Sequence, residues 1–127
     1  MKVKDKSIKL LLGILFTLPL ICLSHGQNTP VTLELVSDTG SVSPGETFKV
    51  SVKATIDKDW HIYWTGPGEN GLPTEVSWTV PDGFKAEPTQ YPVPHKTVQS
   101  FPGLTLTSHT YENIAYFTTS VTAPSDF

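Results

Sequence analysis

Hydrophobic and polar residues alternate in several short segments of this chain. In the segment TFKVSVKAT, residues 47–55, apolar side chains occupy every second position and lysine or serine lies between them. The segment VTLELV at 31–36 alternates in the same way and places Val31, Leu33 and Leu35 on one face. A period of two is the pattern of a strand with one buried face. We therefore predict two strands whose apolar sides, including these three residues, face inward.

Two more segments have the composition of strands. The alternation recurs in TEVSWTV at 74–80, and NIAYFTTSVTA at 113–123 is long and rich in β-branched and aromatic residues. Between them, FKAEPTQYPVP at 84–94 contains too many prolines for a central strand. No segment after residue 26 has a sustained helical period. Short strands with frequent turn signals predict an all-β protein built as an antiparallel sandwich.

The first 26 residues have the pattern of an export signal. Four lysines precede the apolar run at 10–23, and Ser-His-Gly at 24–26 offers a cleavage site. The apolar run of about 14 residues is shorter than the roughly 20 that span a bilayer. We predict a signal peptide at 1–26 and one domain at 27–127. An uncleaved anchor, or a lipid attached to Cys22, is the alternative.

Charge and cysteine content exclude several classes of function. The chain has 12 acidic residues against 9 lysines and no arginine, for a net charge of −3. Residues 27–127 keep five lysines and eleven acids, a net charge of about −6. Nucleic acids are bound by clustered lysine and arginine, so we expect no nucleic-acid partner. The single cysteine lies in the signal segment, and no catalytic residue and no cofactor is predicted.

All three tryptophans fall between residues 59 and 80, beside glycines and prolines. Trp60 and Trp64 share one face of the WHIYW segment, and Trp78 belongs to the alternation of the strand at 74–80. We predict that the three are core aromatics, since a buried tryptophan removes about 200 Å² from water. The alternative is an exposed aromatic platform for a partner. The segment TGPGENGLP at 65–73 is interpreted as a connecting loop.

Three histidines after the signal segment are candidate metal ligands, namely His61, His95 and His109. They lie on separate predicted elements and have no short ligand spacing such as H-x-H. No metal site is therefore predicted. A metal-binding domain stays open as a third hypothesis, which copper or zinc uptake would test.

The tryptophan-rich stretch also carries a family resemblance. DWHIYWTGPGENGLPTEVSWTVPDGF resembles a segment near the start of DsbD-like proteins, the thiol:disulfide interchange proteins or protein-disulfide reductases. YPVPHK at 91–96 and HTYENIAYFTTSVTA at 109–123 are similar to later segments of the same family. The resemblance covers residues 30–126. It implies a periplasmic, immunoglobulin-like N-terminal domain that precedes a membrane domain and a thioredoxin-like domain in full-length relatives.

The resemblance implies a role in electron transfer. In such relatives the N-terminal domain receives electrons from the thioredoxin-like domain of the parent. It passes them to disulfide isomerases or cytochrome c maturation factors through a cysteine pair on adjacent strands. That pair follows the strand similar to 113–123, and this chain stops at Phe127 before it. We therefore expect a sandwich that lacks its last strands, and no catalytic residue is carried over.

In the redox-active relatives a loop shields the cysteine pair. By position, this cap would lie at 104–111, and Ser108, His109 and Tyr111 are the candidates for shielding or partner contact. The alternative for this segment is an ordinary hairpin.

Two functions remain open at this stage. One is the N-terminal module of a DsbD-like reductase, with membrane contact only through the signal peptide or a missing downstream domain. The other is a non-redox exported module that binds a protein partner or ligand. If the last strand is missing, the strand at 113–123 or its neighbour should present unpaired backbone groups and favour self-association.

Overall fold

The computed structural model describes residues 29–127, which form seven β-strands. The strands are β1 Val31–Ser37, β2 Thr47–Ile56, β3 Ile62–Gly68, β4 Lys85–Ala86, β5 His95–Phe101, β6 Leu104–Tyr111 and β7 Ile114–Thr122. The predicted signal peptide lies outside the described residues. Within the described part, no helix has the length and apolar character that crossing a membrane requires. The predicted all-β class is confirmed.

The strands form two antiparallel sheets that pack as an immunoglobulin-like sandwich. One sheet has the order β1-β2-β7-β4 and the other the order β3-β6-β5. Buried side chains from both sheets meet in the core, namely Ala54, Ile56, Tyr111, Ala115 and Phe117. This is the predicted antiparallel sandwich.

The strands predicted at 47–55 and 113–123 are confirmed as β2 and β7, and so is the predicted inward face of β2. The two strands pair along their length, with Ala54 opposite Ala115 and Val52 opposite Phe117. Residues paired across an antiparallel ladder lie on the same face. The face toward the second sheet therefore carries Val52 and Ala54 of β2 with Ala115, Phe117 and the buried Thr119 of β7. Ile114 and Tyr116 of β7 lie on the exposed outer face.

The prediction for β1 is correct for the strand and for Val31, which packs against the core, and it is wrong for the burial of Leu33 and Leu35. Leu33 pairs with Ala54, and Leu35 pairs with Val52, so both leucines are on the core face of their sheet. Their side chains are nevertheless 66% and 60% exposed. β1 is the edge strand of the four-stranded sheet. The three-stranded sheet does not cover that edge, a fact that alternation along one strand cannot reveal.

The segment at 74–80 was predicted as a strand, and this prediction is wrong. Alternate side chains of the segment are half-buried, yet it joins no sheet. The amide of Thr74 donates to the carbonyl of Tyr63 at 3.2 Å. The amide of Val76 donates to the hydroxyl of Tyr91 at 3.1 Å. Side chains and isolated contacts replace the ladder of a neighbouring strand here.

The proline-rich segment at 84–94 behaves as predicted. It contributes only β4, two residues long, and one isolated bridge between Gln90 and Thr118. Prolines remove backbone donors, so the segment cannot form a longer ladder.

The tryptophans do not share one environment. The prediction of Trp60 as a core residue is wrong, because its side chain is 57% exposed. Asp59 has a φ of 68°, and β3 begins only at Ile62, so the alternation does not extend back to Trp60. Trp64 packs against the core cluster. Trp78 is half-buried and its Nε1 donates to Oγ1 of Thr89 at 2.8 Å.

The strand at 113–123 is an open edge only in its first half. β7 lies between β2 and β4, but its contacts on the β4 side extend only from Thr122 to Thr118 and do not include residues 114–117. Its neighbour β4 is at the edge but contains two residues. β1, with seven residues, is the longer of the two edge strands of this sheet.

Candidate functional site

The segment expected to form a cap loop, residues 104–111, is a regular strand. It is β6, the second strand of a hairpin that runs in continuous register with β5. The structure therefore agrees with the alternative interpretation, in which this segment is part of an ordinary hairpin. Tyr111 contacts Phe117 in the opposite sheet and so points inward. Because side chains alternate along a strand, His109 points to the same side and Ser108 to the outer face.

The glycine-rich loop at 65–73, which begins within β3, is hydrogen-bonded to β6 and covers its outer face. The amide of Glu69 donates to the carbonyl of Thr107 at 2.9 Å, and the Glu69 carboxylate accepts from the Thr107 amide at 2.6 Å. Oγ of Ser108 donates to Oδ1 of Asn70. Nδ2 of Asn70 donates to Oε1 of Gln99 at 3.4 Å, which extends the contact to β5. Ser108 is buried beneath this loop, with 2% of its surface exposed.

A second polar contact on the same face joins the two strands of the hairpin. Oγ1 of Thr97 and Oγ1 of Thr110 lie 2.8 Å apart, and Thr110 is fully buried. Buried hydroxyl groups need such partners, because an unpaired one costs about 1–3 kcal/mol. The outer face of the hairpin is therefore a fixed polar layer under a loop.

Tyr111 ties the hairpin to the core. Its ring meets Phe117 edge to face, with centroids 5.4 Å apart, and its hydroxyl donates to the carbonyl of Pro92 at 2.7 Å. Burial, and to a smaller extent the neighbouring Tyr91, raises the pKa of Tyr111 to about 12. Tyr111 is thus neutral at ordinary pH and acts as a structural donor.

His109 is the least satisfied of the three predicted residues. Its ring meets Trp64 edge to face, with centroids 5.7 Å apart. Within the described residues, its Nδ1 is buried and has no hydrogen-bond partner. His109 therefore keeps an unused hydrogen-bonding group beside an aromatic side chain, on the inner face of the hairpin.

The exposed Trp60 belongs to a separate surface at one end of the sandwich. A cavity of about 250 Å³ is lined by the turn at 57–61 together with Glu112 and Asn113. Its wall carries three carboxylates, from Asp57, Asp59 and Glu112, and one lysine, Lys58, so negative charge is in excess. An aromatic face beside negative charge suits a positively charged side chain.

The candidate metal ligands are not brought together. Nε2 of His61 lies 3.1 Å from the hydroxyl of Tyr63, and His109 contacts Trp64. His95 is an exposed residue at the start of β5. Across residues 29–127, no three histidine, cysteine or acidic side chains are close enough to hold a metal ion.

Comparison with known proteins decides the family. The family model described as thiol:disulfide interchange protein DsbD, N-terminal, matches residues 31–126, almost the whole described part. The chain belongs to the DsbD N-terminal domain family. No curated protein and no solved structure matches it.

Family membership indicates where the protein is located and which class of partner it has. The DsbD N-terminal domain is periplasmic in the parent family and interacts with thiol–disulfide partners, which implies an exported protein. The matched residues include the hairpin, the loop that covers it and the cavity beside Trp60. Residues 29–127 contain no cysteine, so these surfaces, and not a thiol, are what the described part presents to a partner.

Sequence reasoning missed the residues that hold the hairpin in place. Asn70 and Glu69 were assigned only to a connecting loop, and Thr97 was not considered. Their contacts join positions 38 residues apart for Glu69–Thr107 and Asn70–Ser108. Nothing in the local pattern connects such distant positions.

Proposed function

We propose that the chain is the periplasmic N-terminal module of a DsbD-like disulfide reductase, which relays electrons to periplasmic thiol–disulfide partners. In each transfer, a dithiol on the donor becomes a disulfide and the disulfide of the target becomes two thiols. The observation that carries this proposal is the family match over residues 31–126. The partners are the thioredoxin-like domain of the parent, disulfide isomerases and cytochrome c maturation factors.

The described residues contribute recognition and shielding. A thiolate is the nucleophile of disulfide exchange, and residues 29–127 contain no cysteine. We infer that a cysteine pair elsewhere in the parent protein carries the exchange. The membrane domain of that parent would tether the module.

The hairpin is the surface that we assign to this role. Its tip exposes Phe101 and Leu104, which are 53% and 52% exposed and lie opposite each other in the ladder. Ser108 and Tyr111 use their hydrogen bonds internally and hold the hairpin in position. His109, with its unpaired nitrogen, is the residue that we assign to shielding the thiol site.

Binding measurements test the role of the hairpin. The probe is a purified periplasmic thioredoxin-like protein, titrated into the full chain by calorimetry in its oxidised and reduced forms. Phe101→Ser and Leu104→Ser should weaken binding at least tenfold, about 1.4 kcal/mol. The matched control is Tyr116→Ser, which changes an aromatic side chain 46% exposed on the outer face of the other sheet. Equal binding by all variants would remove the hairpin from the interface.

A separate observation tests the redox assignment. Translation of the gene beyond codon 127 should give a cysteine pair within the next strands, followed by several membrane-spanning segments. A stop codon at position 128 would contradict a reductase module and leave a domain without redox function.

The exposed Trp60 favours a second candidate, a non-redox exported interaction module. Its indole is 57% exposed and the adjoining cavity is lined by three carboxylates. Such a surface would bind a lysine or arginine side chain of a partner. This function predicts binding that is equal in reducing and oxidising buffer and is lost in Trp60→Ala. A redox module predicts binding that differs between reducing and oxidising buffer.

A further inference from the structure

We propose that Asn70 is a site of spontaneous deamidation, and that this modification releases the glycine-rich loop from the hairpin. The inference goes beyond the proposed function and does not depend on it. The dipeptide Asn-Gly occurs once in the chain, at residues 70–71 of this loop. In deamidation, the backbone nitrogen of the following residue attacks the asparagine side chain. A glycine at that position has no side chain to hinder the attack.

The reaction needs only the backbone and water. The Gly71 nitrogen gives up its proton to solvent base and attacks Cγ of Asn70. The bond from Cγ to the side-chain nitrogen then breaks, and ammonia leaves with a proton that solvent returns. A water molecule opens the resulting cyclic succinimide at either of its carbonyl carbons, which gives aspartate or isoaspartate. Nothing is oxidised or reduced in these steps.

The attacking amide is available in the folded chain. Gly71 is exposed, so solvent base reaches its nitrogen. Among residues 29–127, its amide has no hydrogen-bond acceptor, whereas the amide of Glu69 donates to the carbonyl of Thr107. The other asparagine of the described part, Asn113, precedes the β-branched Ile114, whose side chain crowds the nitrogen beside it. Asn113 is therefore an internal control.

The hairpin holds the side chain of Asn70 in the closed loop. Oγ of Ser108 donates to Oδ1 of Asn70, and Nδ2 of Asn70 donates to Oε1 of Gln99 at 3.4 Å. The Nδ2 group is the one that leaves, and Oδ1 moves as Cγ turns back onto its own main chain. Both contacts therefore oppose the reaction. Deamidation proceeds from conformations in which the loop has opened locally.

Neither product restores the closed loop. An aspartate at position 70 has no hydrogen to donate to Gln99, and it places a second carboxylate beside Glu69. Isoaspartate adds an atom to the main chain next to Gly71. A Cβ atom built on Gly71 would already overlap the ring of Tyr63, and Glu69 is fixed to Thr107 by two hydrogen bonds. The longer chain does not fit between these two fixed points, so the loop separates from the hairpin.

Mass spectrometry of the full chain, incubated at neutral and mildly alkaline pH, tests for the modification. Digestion after lysine places Asn70 and Asn113 on separate peptides, 59–85 and 97–127. Peptide 59–85 should gain the mass that separates a carboxylic acid from an amide, and faster at higher pH, because the attacking nitrogen must lose its proton. Peptide 97–127 should stay unchanged. An unmodified peptide 59–85, or equal rates at the two asparagines, would overturn the proposal.

Variants at the two contacts test whether the hairpin controls the rate. Ser108→Ala and Gln99→Ala each remove one partner of Asn70 and should raise the rate about threefold or more, the effect of one lost hydrogen bond on an opening equilibrium. The matched control is Ser100→Ala, at an exposed serine of the same hairpin, which should leave the rate unchanged. Urea denaturation identifies the variants that are folded during incubation. Unchanged rates in the folded contact variants contradict the proposed role of the hairpin.

Hydrogen exchange measures the consequence for the loop. The amides of Glu69 and Thr107 take part in the bonds that join the loop to the hairpin. Both should exchange about tenfold faster or more in the modified protein than in the unmodified protein. Asn70→Asp, which lacks the longer main chain of isoaspartate, should give a smaller increase. If the modified protein keeps the protection of both amides, deamidation does not release the loop and the proposal is wrong.

Discussion

Replacement of Gly68 by alanine tests how closely the glycine-rich loop approaches the hairpin. Gly68 has a φ of 94°, and a Cβ atom built on it would lie 2.5 Å from the carbonyl oxygen of Thr107. A side chain at positive φ costs about 1–2 kcal/mol. Relief of the overlap requires a shift of the backbone, and overpacking of this kind costs about 1–3 kcal/mol.

We therefore expect Gly68→Ala to lower the free energy of unfolding by about 2–5 kcal/mol, out of the 5–15 kcal/mol typical of a domain. The same shift would break the hydrogen bond from the Glu69 amide, since its acceptor is the crowded Thr107 carbonyl. Urea denaturation followed by tryptophan fluorescence measures the change, which should appear in the midpoint while the slope stays constant.

Two other glycines separate the contributions. Gly103 has a φ of 78° and nothing within 4 Å of its Cβ position, so Gly103→Ala reports the backbone cost alone. Gly40 has neither a positive φ nor a close neighbour, so Gly40→Ala should change stability by less than about 1 kcal/mol. If Gly68→Ala is no more destabilising than Gly103→Ala, the loop does not lie against β6 as described.

Three further predictions concern the core and the polar layer. The free energy of unfolding should fall by up to about 1.4 kcal/mol per pH unit between about pH 10 and 12, because the pKa of tyrosine is near 10 in the unfolded chain and about 12 for folded Tyr111. Denaturation curves taken at each pH measure this fall, and Tyr111→Phe should abolish it. An unchanged fall in the variant would refute the assignment to Tyr111. Trp64→Ala should lower the free energy of unfolding by at least about 2 kcal/mol, and Trp60→Ala by less than about 1 kcal/mol, as measured by urea denaturation. The reverse order would contradict their burial. Thr97→Val should cost about 1–2 kcal/mol by stranding the fully buried hydroxyl of Thr110, and the double variant with Thr110→Val should recover part of that cost. Strict additivity in the cycle would mean that the two hydroxyls do not interact.

The sequence alone determined the elements whose information is local. Alternation in 47–55 predicted β2 and its buried face, because period two follows from the geometry of a single strand. The β-branched and aromatic run at 113–123 predicted β7 as a strand. Proline density correctly excluded a central strand at 84–94. The family resemblance rested on the ordered spacing of tryptophan, glycine and proline, and the family match over 31–126 agrees with it.

The tertiary structure decided everything that depends on what covers a residue. Leu33 and Leu35 alternate like buried residues, yet they are exposed because the second sheet does not extend over β1. Trp60 precedes β3 at a turn and faces water, whereas Trp64, four residues later, packs on the core. The anchoring of Ser108 by Asn70 joins residues 38 apart. A pattern along the chain reports which face a side chain takes, but only the assembled sheets determine whether another layer lies above that face.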